Sequence, residues 1–326
     1  MENADARIRR LCSGAGLFVS GLEPLTGDVG QRRYFRAVLA RGTAIAVVYP
    51  EGHEEACDRW NRVRQALVST VRVPRVLAED AAGSVQILED FGTRPLSELW
   101  SGKRDERERR HAEAARIAAT IAGLPDPGVN VPFSAEFFLG EMEKSREAFF
   151  TDLARERLSG NERSIHDAFA RALADEIAAH PRVFVHRDFH VDNLFDAGGT
   201  IGVIDFQDAR LGPDSYDVAS LIGERAALVA PDPNASEAAV AAFTDAFRPP
   251  AGFRDRLARV ALQRGWKAAG TFARVCADGR ADVYRRFLAP QVLAVERGLS
   301  KTGVEREFAT ILQRRSVKLF PKEAPC

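Results

Sequence analysis

The sequence predicts an α+β protein of two lobes: a small antiparallel β-sheet lobe over residues 1–91 and a larger, mostly helical lobe over residues 92–326. Three features predict this division. Short β-branched and aromatic runs bounded by Gly-rich turns crowd the N-terminal part. Long stretches with apolar residues at helical spacing fill the remainder. Between them, "EDFG" (Glu89–Gly92) closes a strand on a glycine and reads as a hinge.

Residues 1–20 predict a short amphipathic helix. "LEPLTGDVGQRRYFRAVL" and "TAIAVVYPEG" predict strands broken by turns at their glycines. "HEEACDRWNRVRQALV" carries acidic residues in its first turn and apolar ones at helical spacing, so it predicts a helix. "VPRVLAED" and "GSVQILEDFG" add two strands around a turn at Ala82–Gly83. Beyond the hinge, "DERERRHAEAARIAATIAGL", "AEFFLGEMEKSREAFFTDL" and "SIHDAFARALADEIAAH" predict helices, and the charge run at 103–110 predicts a solvated helix face. A strand pair follows, then "PNASEAAVAAFTDAF", "FRDRLARVALQRGWKAAGTFARV" and "DVYRRFLAPQVLAVERGL", all helical in period.

Lys+Arg and Asp+Glu are both 46, so no global field favours nucleic acid or an anionic membrane as partner. A local basic pocket remains compatible with that balance. Cys12, Cys57, Cys276 and Cys326 are scattered, with no CxxC pair and no zinc-like spacing, and predict free thiols in a reducing compartment. "MENADARIRRLCSG" lacks the apolar core of a signal peptide, and no apolar run reaches the roughly 18 residues that span a bilayer. A cytoplasmic protein is expected; nothing in the sequence specifies its oligomeric state.

The chemistry concentrates in "VFVHRDFHVDNLF" (Val183–Phe195) and, just downstream, "IGVIDFQD". "AGG" between them signals a β-hairpin turn centred near Gly199. That centre pairs Phe195 with Val203 and Asn193 with Asp205, and directly opposed Cβ atoms lie only about 4.5–5.5 Å apart. An amide oxygen and a carboxylate so placed suit Mg²⁺, which takes oxygen ligands and usually one or two carboxylates plus substrate phosphates. Asp188, five residues before Asn193, is placed to act on a hydroxyl held beside that metal. The spacing His-x-Asp-x-x-x-x-Asn followed by Asp-Phe is the phosphotransfer arrangement, with Asp188 as base and Asn193 and Asp205 on the metal. His186 is expected to buttress the loop. His190 and Asp192 lie on the loop, facing either substrate or solvent. Asp217, in "GPDSYDVASLI", is expected to hydrogen-bond the catalytic loop or cap the following helix.

On "HRDFHVDN", "VIDFQDARLGPDSYDVASL" and "ILEDFG", the chain resembles the aminoglycoside-phosphotransferase and choline-kinase superfamily, whose fold is protein-kinase-like. With "RRYFR", "HRDFH", "GVIDFQDA" and "LQRGWKAAGTFAR", it resembles more closely the bacterial kinases that phosphorylate the anomeric hydroxyl of N-acetylmuramate and N-acetylglucosamine. These segments run from position 32 to 274. The resemblance implies ATP and Mg²⁺ as cofactors, Asp188 as catalytic base, Asn193 and Asp205 as metal ligands, and structural roles for His186 and Asp217. It implies that "TGDVGQRRYFR" folds over the phosphates, with Gly27 and Gly30 letting backbone N–H groups approach them, and that adenine meets the backbone at Glu89 and Phe91.

One departure matters. Kinases place a lysine on the third strand to hold the α- and β-phosphates, and "TAIAVVYPEG" has none. Tyr49 or a neighbour takes its place, and Arg32 and Arg33 are the nearest cations. The expected substrate is a small sugar, with His190, Asp208, Arg264 and Lys267 as candidate contacts. A kinase for an aminoglycoside, choline or another sugar, or a nucleotide-binding scaffold without activity, is the alternative.

Overall fold

The computed structural model describes residues 3–25, 32–80, 82, 84–223, 225–279 and 281–320. The chain divides into two compact units. The first comprises Met1–Ser101, Leu124–Val129 and Val191–Ala209; the second comprises Gly102–Gly123, Asn130–His190 and Arg210–Cys326. This differs from the expected single division after residue 91. The segment around Asn193 and Asp205 groups with the N-terminal sheet because it is tied there: the Val203 N–H donates to the Arg72 carbonyl at 2.8 Å, and Phe195 bridges Pro95.

In the first unit, α1 (Ala4–Gly14) precedes β1 (Val19–Leu25), β2 (Arg33–Leu39), β3 (Thr43–Val48), α2 (Glu54–Leu67), β4 (Val76–Glu79) and β5 (Val85–Glu89). The sheet is antiparallel with strand order β1-β2-β3-β5-β4. Alternation along the strands gives it two faces. Ala44, Ala46 and Val48 of β3, with Ala37, Val85 and Ile87, form one core with Ile8 and Cys12 of α1. Small residues at the sheet centre let that helix approach closely. The other face carries Tyr34, Arg36, Ile45, Val47 and Leu88, the residues that line the cleft described below. A polar chain stands on this face, running from buried Tyr49 and Gln86 to exposed Glu79: Tyr49 Oη donates to Gln86 Oε1 at 2.7 Å, and Gln86 Nε2 donates to Glu79 Oε2 at 2.8 Å.

The hairpin of β7 (Leu194–Asp196) and β8 (Ile201–Val203) completes this unit. Its register corrects the expected one: Leu194 pairs with Val203, Phe195 with Gly202 and Asp196 with Ile201. The turn is the two-residue loop Gly198–Gly199, both left-handed at φ 77° and 91°, closed by the Ala197 N–H on the Thr200 carbonyl at 2.8 Å. Its centre therefore lies between the glycines rather than on Gly199, as paired left-handed residues in a primed turn require. Asn193 consequently faces Ile204, whose N–H donates to its carbonyl at 3.1 Å.

In the second unit, α3 (Arg104–Ala122), α4 (Ala135–Arg146), α5 (Gly160–Ala178), β6 (Arg182–Val185), β9 (Arg210–Pro213) and α6–α11 (Tyr216–Ile222, Arg225–Val229, Pro233–Phe247, Phe253–Ala277, Ala281–Gly298, Gly303–Leu319) follow in order. β6 and β9 pair antiparallel. α3 packs on α8, burying Ala114, Ala115, Ala118 and Ala122. The charge run that opens α3 is less solvated than expected, because Arg107 bonds Asp232 at 3.0 Å and Arg110 is buried. α9 carries Trp266 into a cluster with Phe149, Phe150, His166 and Phe308. Cys12, Cys57 and Cys276 are free thiols. No described helix is long and apolar enough to cross a membrane.

Candidate active site

The first unit holds a cleft of about 420 Å³, within the size range of small-molecule sites. Leu25, Ile45, Leu88 and Ile204 give it apolar walls, and Asn193 and Asp205 line it together. After the register correction, simple alternation would send two residues so placed to opposite faces. Asp205 escapes that rule because it is left-handed, at φ 64°, which redirects its carboxylate to the wall that Asn193 shares. Gln207 Nε2 donates to Asp205 Oδ1 at 2.8 Å and fixes the orientation.

Glu89 and Phe91 also line the cleft. The Glu89 N–H donates to the Arg75 carbonyl at 2.9 Å, so of its backbone groups only the carbonyl could meet a base. Its side chain is held by Arg72 in two bonds, at 2.6 and 2.8 Å. The hydrogen bond from Arg72, aided by Arg75, lowers the Glu89 carboxyl to about 2. The same Arg72 guanidinium lies 4.8 Å from the centroid of the Phe91 ring. Phe91 in turn packs on Gly202, where a Cβ would come within 2.5 Å of the ring. Sequence reasoning missed Arg72, Trp60 and Phe206. The last two rings are 5.2 Å apart and form a floor of the cleft; a tryptophan at a core-facing helical position was the only signal.

Of the two arginines expected near the phosphates, the strand pairing separates them. Arg32 lines the cleft. Arg33 pairs with Val48 and so belongs to the opposite face, its guanidinium 5.3 Å from the Phe35 ring. Tyr49 lines the cleft, yet its hydroxyl already donates to Gln86. Gly27 and Gly30 lie outside the described residues. Asp208 lines the cleft as well.

The second unit carries Asp188 on the loop after β6. His186 and Arg187 donate their backbone N–H groups to Asp217 at 2.7 and 3.0 Å, so Asp217 ties the loop. His186 is fully buried behind it. Arg264 is committed to the same loop: it donates to the Arg187 carbonyl at 3.1 Å and to Ser220 Oγ at 2.7 Å, over the Tyr216 ring. Those contacts turn its guanidinium toward the loop and Ser220. Burial raises the Asp188 carboxyl, but the charges of Lys267, Arg187 and Arg264 outweigh it and hold the group below the usual carboxylate range. Asp188 is thus ionised at neutral pH, suited to accepting a hydroxyl hydrogen bond. The His190 N–H donates to the Asp188 carbonyl at 3.0 Å, and the Lys267 charge acts directly on Asp188.

Among the described residues no group of three or more His, Cys, Asp or Glu side chains could hold a metal. Asn193 and Asp205 offer a cation one amide and one carboxylate on a shared wall. That fits Mg²⁺, which keeps water and phosphate oxygens in most of its coordination sphere, better than zinc or calcium.

Residues 21–269 match the model of the phosphotransferase enzyme family, to which this chain belongs. Two relatives are each 31% identical and named N-acetylmuramate/N-acetylglucosamine kinase. The one from Pseudomonas aeruginosa aligns over 79% of this chain and 78% of its own length; the one from Neisseria meningitidis serogroup B aligns over 60% of this chain and 59% of its own. An ADP-bound aminoglycoside phosphotransferase shares the protein-kinase-like fold at TM-score 0.61 and 11% identity, covering 98% of this chain and 99% of that one.

Proposed function

We propose that this chain is an ATP-dependent kinase that phosphorylates the anomeric hydroxyl of N-acetylmuramate or N-acetylglucosamine. The observation that supports it best is the cleft of the first unit, where apolar walls suited to a base adjoin the Asn193–Asp205 pair and Arg32. Asn193 and Asp205 would hold Mg²⁺, which offsets the charge of the nucleotide phosphates. Asp188 orients the sugar hydroxyl and receives its proton. The sugar oxygen forms the new bond to the γ-phosphorus as the bridging bond to the β-phosphate breaks, and ADP leaves. The low-lying Asp188 carboxyl makes orientation its larger contribution, since a strong base would titrate nearer the working pH. The two relatives named N-acetylmuramate/N-acetylglucosamine kinase support the amino-sugar acceptor.

The test is product structure. Incubated with ATP and Mg²⁺, N-acetylglucosamine or N-acetylmuramate should give an acid-labile phosphate whose anomeric proton couples to phosphorus. The 1-O-methyl glycoside should be inert, because its acceptor oxygen is blocked. Phosphorylation of that glycoside would refute the anomeric assignment. ATP binding without phosphorylation of any sugar, choline or aminoglycoside would favour a scaffold instead.

A further inference from the structure

We infer that Arg59 of α2, together with Arg32, supplies the positive charge that β3 lacks and holds the phosphate tail of the nucleotide in a second compartment. The inference rests on the nucleotide reading of the cleft. The cleft-facing residues of β3 and its extension are Ile45, Val47 and Tyr49. Two are aliphatic, and the tyrosine hydroxyl is bonded to Gln86. Arg36 also lines the cleft, but its guanidinium bonds Asp90 at 2.7 Å and the Gly92 carbonyl at 3.2 Å. A polyphosphate needs cations from elsewhere.

A smaller cavity of about 230 Å³ in the same unit is lined by Arg32, His53, Arg59, Gln207 and Asp208, with Pro50 and Ala56. Arg32, Gln207 and Asp208 line the large cleft too. The two spaces therefore share a wall that begins two residues after Asp205. Among the described side chains neither arginine is paired with a carboxylate. The two arginines outnumber Asp208, the one carboxylate lining this space, and an anion entering beside them offsets the repulsion that remains. A phosphate accepts from several such donors at once, in charge-assisted bonds about twice as strong as neutral ones.

Calorimetric titration of the full chain with ATP and with adenosine, in Mg²⁺, tests this directly. Arg59→Gln should weaken ATP binding by about 10–100-fold, the value of a hydrogen bond to a charged group. Adenosine affinity should be unchanged, and Arg59→Lys should recover part of the loss. An unchanged thermal midpoint shows that the variant is folded. Unchanged ATP affinity, or equal weakening of ATP and adenosine, would overturn the inference while leaving the cleft a nucleotide site. Loss confined to N-acetylmuramate, with N-acetylglucosamine and ATP unaffected, would assign Arg59 to the substrate carboxylate and overturn it as well. Wild-type protein that binds neither ATP nor adenosine would overturn the nucleotide reading along with it.

Discussion

Replacing Asp217 with alanine should release the loop that carries Asp188. The Asp217 residue is 4% exposed, and its oxygens accept the N–H groups of His186 at 2.7 Å and Arg187 at 3.0 Å. A buried donor left without an acceptor costs about 1–3 kcal/mol, so two set an upper bound of about 6 kcal/mol. Two effects reduce it. Arg187 lies nearer solvent than His186, and the variant escapes the burial penalty that raises the Asp217 carboxyl. We expect a loss of about 2–4 kcal/mol, with Asp217→Asn midway because it keeps one acceptor. Urea unfolding gives the total, and native-state hydrogen exchange reads the two amides directly. The kcat should fall further than stability explains, since the backbone that aims Asp188 is no longer held. A loss below about 0.5 kcal/mol, with the amides of His186 and Arg187 as protected as in wild type, would refute the assignment.

Asp205→Asn should weaken binding of Mg²⁺-nucleotide and abolish turnover; wild-type activity at limiting Mg²⁺ would remove Asp205 from the metal. Asp188→Asn should lower kcat by about 10²–10⁴-fold while ATP affinity in calorimetry stays within error, and an unchanged kcat would exclude it from the mechanism. Gly202→Ala puts a Cβ 2.5 Å from the Phe91 ring, so it should cost about 1–3 kcal/mol by overpacking and raise the Kd for adenosine. His166 is buried, accepts the Trp266 indole N–H at 3.3 Å, and is held by burial at about 4, below its ordinary 6.5. A depressed histidine stabilises the fold fully above pH 6.5, and that contribution is lost as pH falls toward 4. His166→Gln should flatten the stability profile in that window, measured by urea midpoints at each pH.

The elements were legible where local pattern and tertiary role agree. The alternation of "TAIAVV" and the spacing of Ile8 and Cys12 are what the core of the first unit uses. Asn193 and Asp205 are brought to one cleft, though not as directly opposed residues. Their shared wall is real, but hairpin arithmetic with the turn centred on Gly199 missed by one residue. No pattern in "IGVIDFQD" announces that Asp205 is left-handed. The two arginines of "GQRRYFR" looked equivalent until strand pairing assigned them to opposite faces. The bonds of Arg264 to Arg187 and Ser220 depend on a fold that places residues 77 and 44 positions away beside it. Long-range partnership of this kind leaves no local trace.

Four described residues other than glycine are left-handed: Arg155, Arg187, Asp205 and Arg248. Arg248 caps the end of α8, and Arg155 follows the helical turn that ends at Leu153, positions where that conformation is ordinary. Arg187 and Asp205 have no such excuse; each costs about 1–3 kcal/mol unless its surroundings hold it. They are held. The Arg187 N–H goes to Asp217 and its carbonyl accepts from Arg264, while Asp205 is gripped by Gln207. One strained residue immediately precedes the proposed base and the other is the proposed metal ligand. The direction of both carboxylates is therefore set by neighbours whose own hydrogen bonds point inward to the protein. Substitutions at Asp217 and Arg264 should accordingly affect turnover more than nucleotide binding, whereas substitution at Gln207, acting through Asp205, should affect both.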